Sequence, residues 1–123
     1  SLIKEPIRNL FIAWQMLNID LYAQQWARDA QQKTSNKRYD YTAIIAKRKR
    51  LFARLKRVSV KRKIKIVNYD AAKAVVLVDY SMGFHFKNGR VLNENNISEI
   101  CRLRYDKALM RWLIVENLDY MSR

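Results

Sequence analysis

Few residues in this chain have the types and spacing that chemistry requires. The single histidine, His85, lies in an alternating segment, and the nearest carboxylate on its face is Asp79, six positions earlier. Six extended residues span about 20 Å, so the two form no dyad, and His85 reads as a strand-end histidine near solvent. The single cysteine, Cys101, stands between Ile100 and Arg102. It reads as a buried structural thiol, because free cysteine is usually a small core residue, although basic neighbours favour a reactive thiolate where the group is open. One cysteine excludes an internal disulfide and a multi-cysteine metal site. No His/Cys pair has ligand spacing and no Asp-rich calcium loop occurs. Gly89 alone makes no phosphate cradle. No metal and no cofactor is expected.

The strongest chemical signal is charge. The chain carries 25 basic and 11 acidic residues, net +14. Between Asp40 and Asp70 there is no acidic residue, and positions 47–65 hold eleven basic side chains in nineteen. The remainder has 14 basic against 11 acidic residues, only +3. One segment therefore makes most of the field and is expected to meet something anionic. Its candidate anion-binding residues are Lys49, Arg50, Arg54 and Arg57 on a helix, then Lys61, Lys63 and Lys65 on a strand. The bland alternative is a solvated face, with strand lysines that discourage aggregation. Base stacking needs exposed aromatics among the cations. Only Phe52 and Tyr69 lie near, and no nucleic-acid-binding signature is present. Non-specific phosphate binding stays open but is not favoured.

These residues must be held by a fold. The 123 residues are half hydrophobic, with two Gly and one Pro, which suits one domain over 1–123 with a core of its own. Apolar runs of four or five residues span no membrane. No signal peptide is visible, and Ser1 reads as a trimmed start. From Pro6 the apolar positions Ile7, Leu10, Phe11, Trp14 and Leu17 have a helical period. Asn18 is placed as a left-handed stop and Asp20 as the cap of a second helix carrying Leu21, Tyr22, Trp26 and Ala30. An unbroken helix over 6–30 is the competing reading. Residues 31–40 read as a polar loop. A third helix covers 41–57, with Ile44, Ile45, Leu51, Phe52 and Leu55 inside and the basic cluster outside. From Val58 the period becomes two. Strands follow at 58–66, near 75–86, at 96–105 and at 110–117, with a turn at Asn68-Tyr69-Asp70 and a hairpin at Asn88-Gly89. Three helices on a curved antiparallel sheet make an α+β architecture. Met82, Phe84 and Phe86 either line its interior or supply an outer face for a homodimer.

The order Trp14, Asn18-Ile19-Asp20-Leu21-Tyr22, Arg48-Lys49-Arg50-Leu51-Phe52 and Arg57-Val58-Ser59-Val60 resembles the nuclear-transport-factor-2-like superfamily. The stretch from Val76 to Ser81, then Cys101-Arg102-Leu103-Arg104-Tyr105 and Trp112-Leu113-Ile114-Val115-Glu116, completes the likeness over nearly the whole chain. Within that superfamily the chain is most similar to the accessory module attached to bacterial cell-wall L,D-transpeptidases. Nothing here resembles their catalytic domain. The resemblance implies a cone-shaped, cystatin-like fold, often dimeric, and a periplasmic or cell-envelope setting, with the cytoplasm as the other compartment. Some superfamily members are isomerases or dehydratases with a carboxylate inside the cone. By that resemblance the carboxylates to consider are Asp20, Asp79 and Glu116, and Glu116 is expected to share a strand face with Trp112 and Ile114. The pocket candidates are Trp14, Tyr22, Trp26, Tyr80, Trp112 and Glu116.

The expected function is a non-catalytic accessory module whose basic face docks on an anionic partner, either cell-envelope material such as peptidoglycan or an acidic protein domain. The alternatives are a small-molecule enzyme of the isomerase or dehydratase type and a non-specific nucleic-acid binder. A carboxylate with a strongly raised pKa in a deep pocket favours the enzyme.

Overall fold

A computed structural model describes residues 2–119; Ser1 lies outside them. Helix α1 (Glu5–Met16) carries proline in its first turn and buries Ile7, Phe11 and Trp14, one helical stripe. The first two helices break apart one or two residues earlier than the sequence suggests. Leu17, not Asn18, takes the left-handed conformation at φ 52°. Asn18 is extended, and its side chain accepts the Leu21 N–H at 3.0 Å, which makes it the N-cap of α2 (Ile19–Gln24). Asp20 lies inside the first turn, where its side chain makes no cap.

The helix expected to reach Ala30 ends at Gln24. Trp26 and Ala30 belong instead to strand β1 (Trp26–Lys33), and the expected loop at 31–40 contains the end of β1 and a short strand β2 (Arg38–Asp40). β1 buries Trp26, Ala27, Ala30 and Gln32. A register break between Trp26 and Gln31 spoils its alternation, so its apolar spacing imitates a helix.

Asp40 caps helix α3 (Tyr41–Arg54) by accepting the Ala43 N–H at 2.9 Å. The helix stops at Arg54 rather than Arg57, and strand β3 (Leu55–Tyr69) starts at once. Strands β4 (Lys73–Phe86), β5 (Val91–Asp106) and β6 (Arg111–Leu118) follow as a meander. Asp70 accepts the N–H groups of Ala72 and Lys73 in the first turn, and Gly89 supplies φ 90° in the second. The curved sheet has the order β2-β1-β6-β5-β4-β3, antiparallel except where β1 runs parallel to β6. Helix α1 packs on β3 and β6, and α3 on β1 and β2. Among the described residues no helix is long and apolar enough to cross a membrane.

The core lies between the helices and one face of the sheet. Met82, Phe84 and Phe86 are buried there, with Phe84 5.6 Å from the Trp14 ring. They line the cone, so these three side chains supply no apolar area on the outer face. Arg48 is buried as well, although a cationic helix run was expected to face outward. Replacing Asn18 by alanine removes the α2 cap and should lower stability by about 1 kcal/mol in urea denaturation. An unchanged midpoint would show that the Leu21 N–H gains nothing from this bond.

Candidate functional site

Two irregularities in the sheet decide which polar side chains enter the cone. On β5 the register slips between the pairs Tyr80↔Ile97 and Met82↔Glu94, where Asn96 has φ 56°. The extra residue turns Glu94 to the helix side, together with Ile97, Glu99, Cys101 and Leu103. On β6 the slip falls between Leu103↔Ile114 and Arg102↔Glu116. Trp112 and Ile114 face inward above it, and Asn117 and Asp119 face inward below it. Glu116 is therefore expelled to the outer face, against the expectation from simple alternation. There it pairs with Lys33 at 2.8 Å and Arg102 at 3.0 Å, and the lysine, then the arginine, hold its carboxyl below the usual range.

Glu99 sits at the floor of the cone in a continuous hydrogen-bond chain. Lys47 Nζ donates to Gln32 Oε1 at 2.6 Å, Gln32 Nε2 donates to Asn117 Oδ1 at 2.9 Å, and Asn117 Nδ2 donates to Glu99 Oε1 at 2.9 Å. Tyr80 OH donates to Glu99 Oε2. An ammonium only donates, so Lys47 fixes which way both amides point and aims the Asn117 NH₂ at the carboxyl. Those donors favour the ionised form, yet burial outweighs them and raises the Glu99 pKa to about 8. Asp119 adds to the rise through its charge and a shared hydrogen bond. Burial also pushes the Cys101 thiol up to about 12, so its sulfur, 3.3 Å from Asn117 Nδ2, is inert packing.

A cavity of about 30 Å³ beside Glu99 is lined by Tyr22, Trp26, Tyr80, Asn117 and Arg48 among others. Trp14 and Arg48 also line a wider chamber of about 430 Å³ that opens at the cone mouth. Glu94 and Asp119 stand in this chamber beside Tyr39, Leu51, Phe84 and Leu92. Burial is the main cause raising the Glu94 pKa. A larger and more open groove, about 760 Å³, lies outside the cone. Within it Arg104 makes a two-bond pair with Asp29, and Arg28 covers Tyr41.

Four of the six pocket candidates, Trp14, Tyr22, Trp26 and Tyr80, do come together around the two cavities. Trp112 stacks edge-on against Tyr105 at 5.6 Å, away from them, and Glu116 is outside. Asp20 borders the outer groove, Asp79 accepts from Ser98, and His85 lies 3.3 Å from Arg57. Lys49, Arg50, Arg54, Arg57, Lys61, Lys63 and Lys65 are all exposed. Sequence reasoning missed Glu99 and Arg48, though each left a mark. Glu99 interrupts the apolar alternation of Ile97, Cys101 and Leu103, and Arg48 lies four residues from both Ile44 and Phe52 on one buried stripe.

The chain matches no protein-family model and no curated protein. Solved structures match its fold at low identity. A ketosteroid isomerase-like protein from Erwinia carotovora superposes with a TM-score of 0.79 at 16% identity, covering 99% of this chain and 95% of that one. A nuclear-transport-factor-2-like protein from Salmonella enterica gives 0.78 at 14%, covering 94% and 85%. A domain with a cystatin-like fold from Nostoc punctiforme gives 0.77 at 14%, covering 98% and 75%. The architecture is thus the cone-shaped, cystatin-like one.

Folded Glu99 keeps its proton to about pH 8, whereas the unfolded carboxyl releases it near 4.5. The folded state then binds more protons across that window, and stability falls as pH rises through it. Urea denaturation at pH 5 to 8 should show wild type losing stability relative to Glu99→Gln. Parallel curves for the two proteins would mean that Glu99 ionises normally.

Proposed function

We propose that the cone binds a small molecule and carries out proton transfer on it, in the manner of an isomerase or dehydratase. The observation that carries this reading is Glu99, a carboxyl held protonated at neutral pH by burial while Asp119, its hydrogen-bonded partner, faces the chamber. Paired carboxyls with separated proton affinities supply an acid and a base within one site. Asp119 takes a proton from a ligand carbon in the chamber, the electron pair passes onto the neighbouring carbonyl, and the same proton returns to the ligand at a second carbon. Glu99 holds its own proton in the hydrogen bond it shares with Asp119, and Tyr80 and Asn117 orient Glu99. The chamber volume falls in the range of about 300–1,000 Å³ usual for ligand sites. The ketosteroid isomerase-like neighbour supports the fold's suitability only.

Deuterium wash-in beside the carbonyl of a panel of cyclic ketones and hydroxyketones, followed by NMR, tests the chemistry. Exchange above the buffer rate should fall by about 10²–10⁴-fold in Glu99→Gln, the usual contribution of acid–base catalysis. Equal exchange by the two proteins would remove Glu99 from the reaction.

A second reading concerns the outside. Lys61, Lys63 and Lys65 alternate with half-buried Val60, Ile64 and Ile66 on the edge strand β3, so they point away from the helices. Among the described residues none of the three makes an ion pair, a pattern that favours docking on an anionic polymer or acidic protein. The likeness to transpeptidase accessory modules suggests cell-wall material as that polymer. Exposed charges contribute only about 0–1 kcal/mol each to stability, so the triple exchange to glutamate should fold normally. It should lose retention on isolated cell-wall sacculi, and loss on heparin and DNA as well would mark a generic polyanion surface. Unchanged retention on all three would leave the tract as a solvated face.

A further inference from the structure

Arg48 is 5% exposed, in the middle of a helix stripe that is otherwise apolar. Its guanidinium lies 4.1 Å from the Trp14 ring centroid and 5.4 Å from that of Tyr22. Among the described residues it has no carboxylate within 4 Å, and its buried Nε has no hydrogen-bond partner. Aromatic faces compensate a guanidinium only in part, and a buried charge ordinarily demands an opposite charge and hydrogen bonds. Arg48 lines both the small cavity and the mouth chamber. Trp26 Nε1, another buried donor without a partner among the described residues, belongs to a side chain lining the small cavity.

We propose that the ligand of the cone is a carboxylic acid with an apolar ring body, its carboxylate received by Arg48. This rests on the small-molecule reading above and names the class of molecule. Glu94 and Glu99 feel the charge of Arg48 without reaching it as an ion pair, and a ligand carboxylate supplies that direct pair, accepting from two guanidinium N–H groups in one plane. The body then lies in the 430 Å³ chamber against Trp14, Leu51, Phe84 and Leu92. A monoanion fits better than a phosphate dianion, because Glu94, Glu99 and Asp119 already place acidic groups around Arg48, the one cation buried among the described residues. The rim favours entry of an anion. Arg54 and Arg90 both lie over the Phe86 ring, at 5.1 and 4.6 Å from its centroid. Neither makes an ion pair among the described residues, and their joined field draws anions toward the mouth.

Calorimetric titration with 2-naphthoate and with its neutral counterpart 2-naphthamide tests this. Wild type should bind naphthoate at least tenfold more tightly than the amide. Arg48→Met should lose that preference and keep its affinity for the amide. Equal affinities on wild type, or an Arg48→Met that retains the naphthoate preference, would overturn the assignment while leaving a ligand-binding cone in place. Binding of neither compound would overturn the assignment and the small-molecule reading together. The ratio measured on wild type needs no variant, so the comparison decides even if Arg48→Met does not fold.

Discussion

A buried carboxyl has to be held somewhere, and in this protein the cone is organised around holding one. The hydrogen-bond chain that ends on Glu99 takes one member from each of five elements: Lys47 from α3, Gln32 from β1, Asn117 from β6, Glu99 from β5 and Tyr80 from β4. Each amide has a single workable orientation once the ammonium end is set. The network therefore fixes the relative placement of a helix and four strands as firmly as it fixes a proton. Polar networks of this kind stabilise only when every member is satisfied, and desolvation of the terminal carboxyl is what remains uncompensated.

What the sequence made legible follows from locality. The alternation of Val76, Val78, Tyr80, Met82, Phe84 and Phe86 and the Asn88-Gly89 hairpin are local signals, and the structure keeps both. β1 was illegible because it exists by pairing with β6, more than eighty residues away, in a broken register. Glu116 was misplaced for a related reason. An alternation argument assumes unbroken parity, and one extra residue between Ile114 and Glu116 inverts every side chain that follows. The same inversion brings in Asn117 and Asp119, so the error and the site have one physical origin. The caps near residue 18 show a smaller limit: residue types revealed a helix break, while Leu17 took the left-handed position that chemistry alone assigns to asparagine.

The basic tract is also less uniform than its composition implies. Helical geometry turns Arg48 inward with Ile44 and Phe52 and leaves Lys49 and Arg50 in water. Arg54, at the end of the same helix, borders the chamber mouth. A single run of cations thus supplies an interior charge, a rim charge and an outer face, three environments with different dielectric screening.

The fifteen-residue strand β3 forms one boundary of an open sheet and, among the described residues, pairs only with β4. A long strand boundary with exposed Val67 and Tyr69 is a template on which a second sheet can grow. Electrostatic repulsion between copies is what opposes that growth here, through Lys56, Arg57, Lys61, Arg62, Lys63 and Lys65. The tendency of this edge to pair with another copy is consequently tied to the charge state of one strand. Lysine acylation, or a polyanion that neutralises several copies at once, would lower that barrier to edge-to-edge assembly.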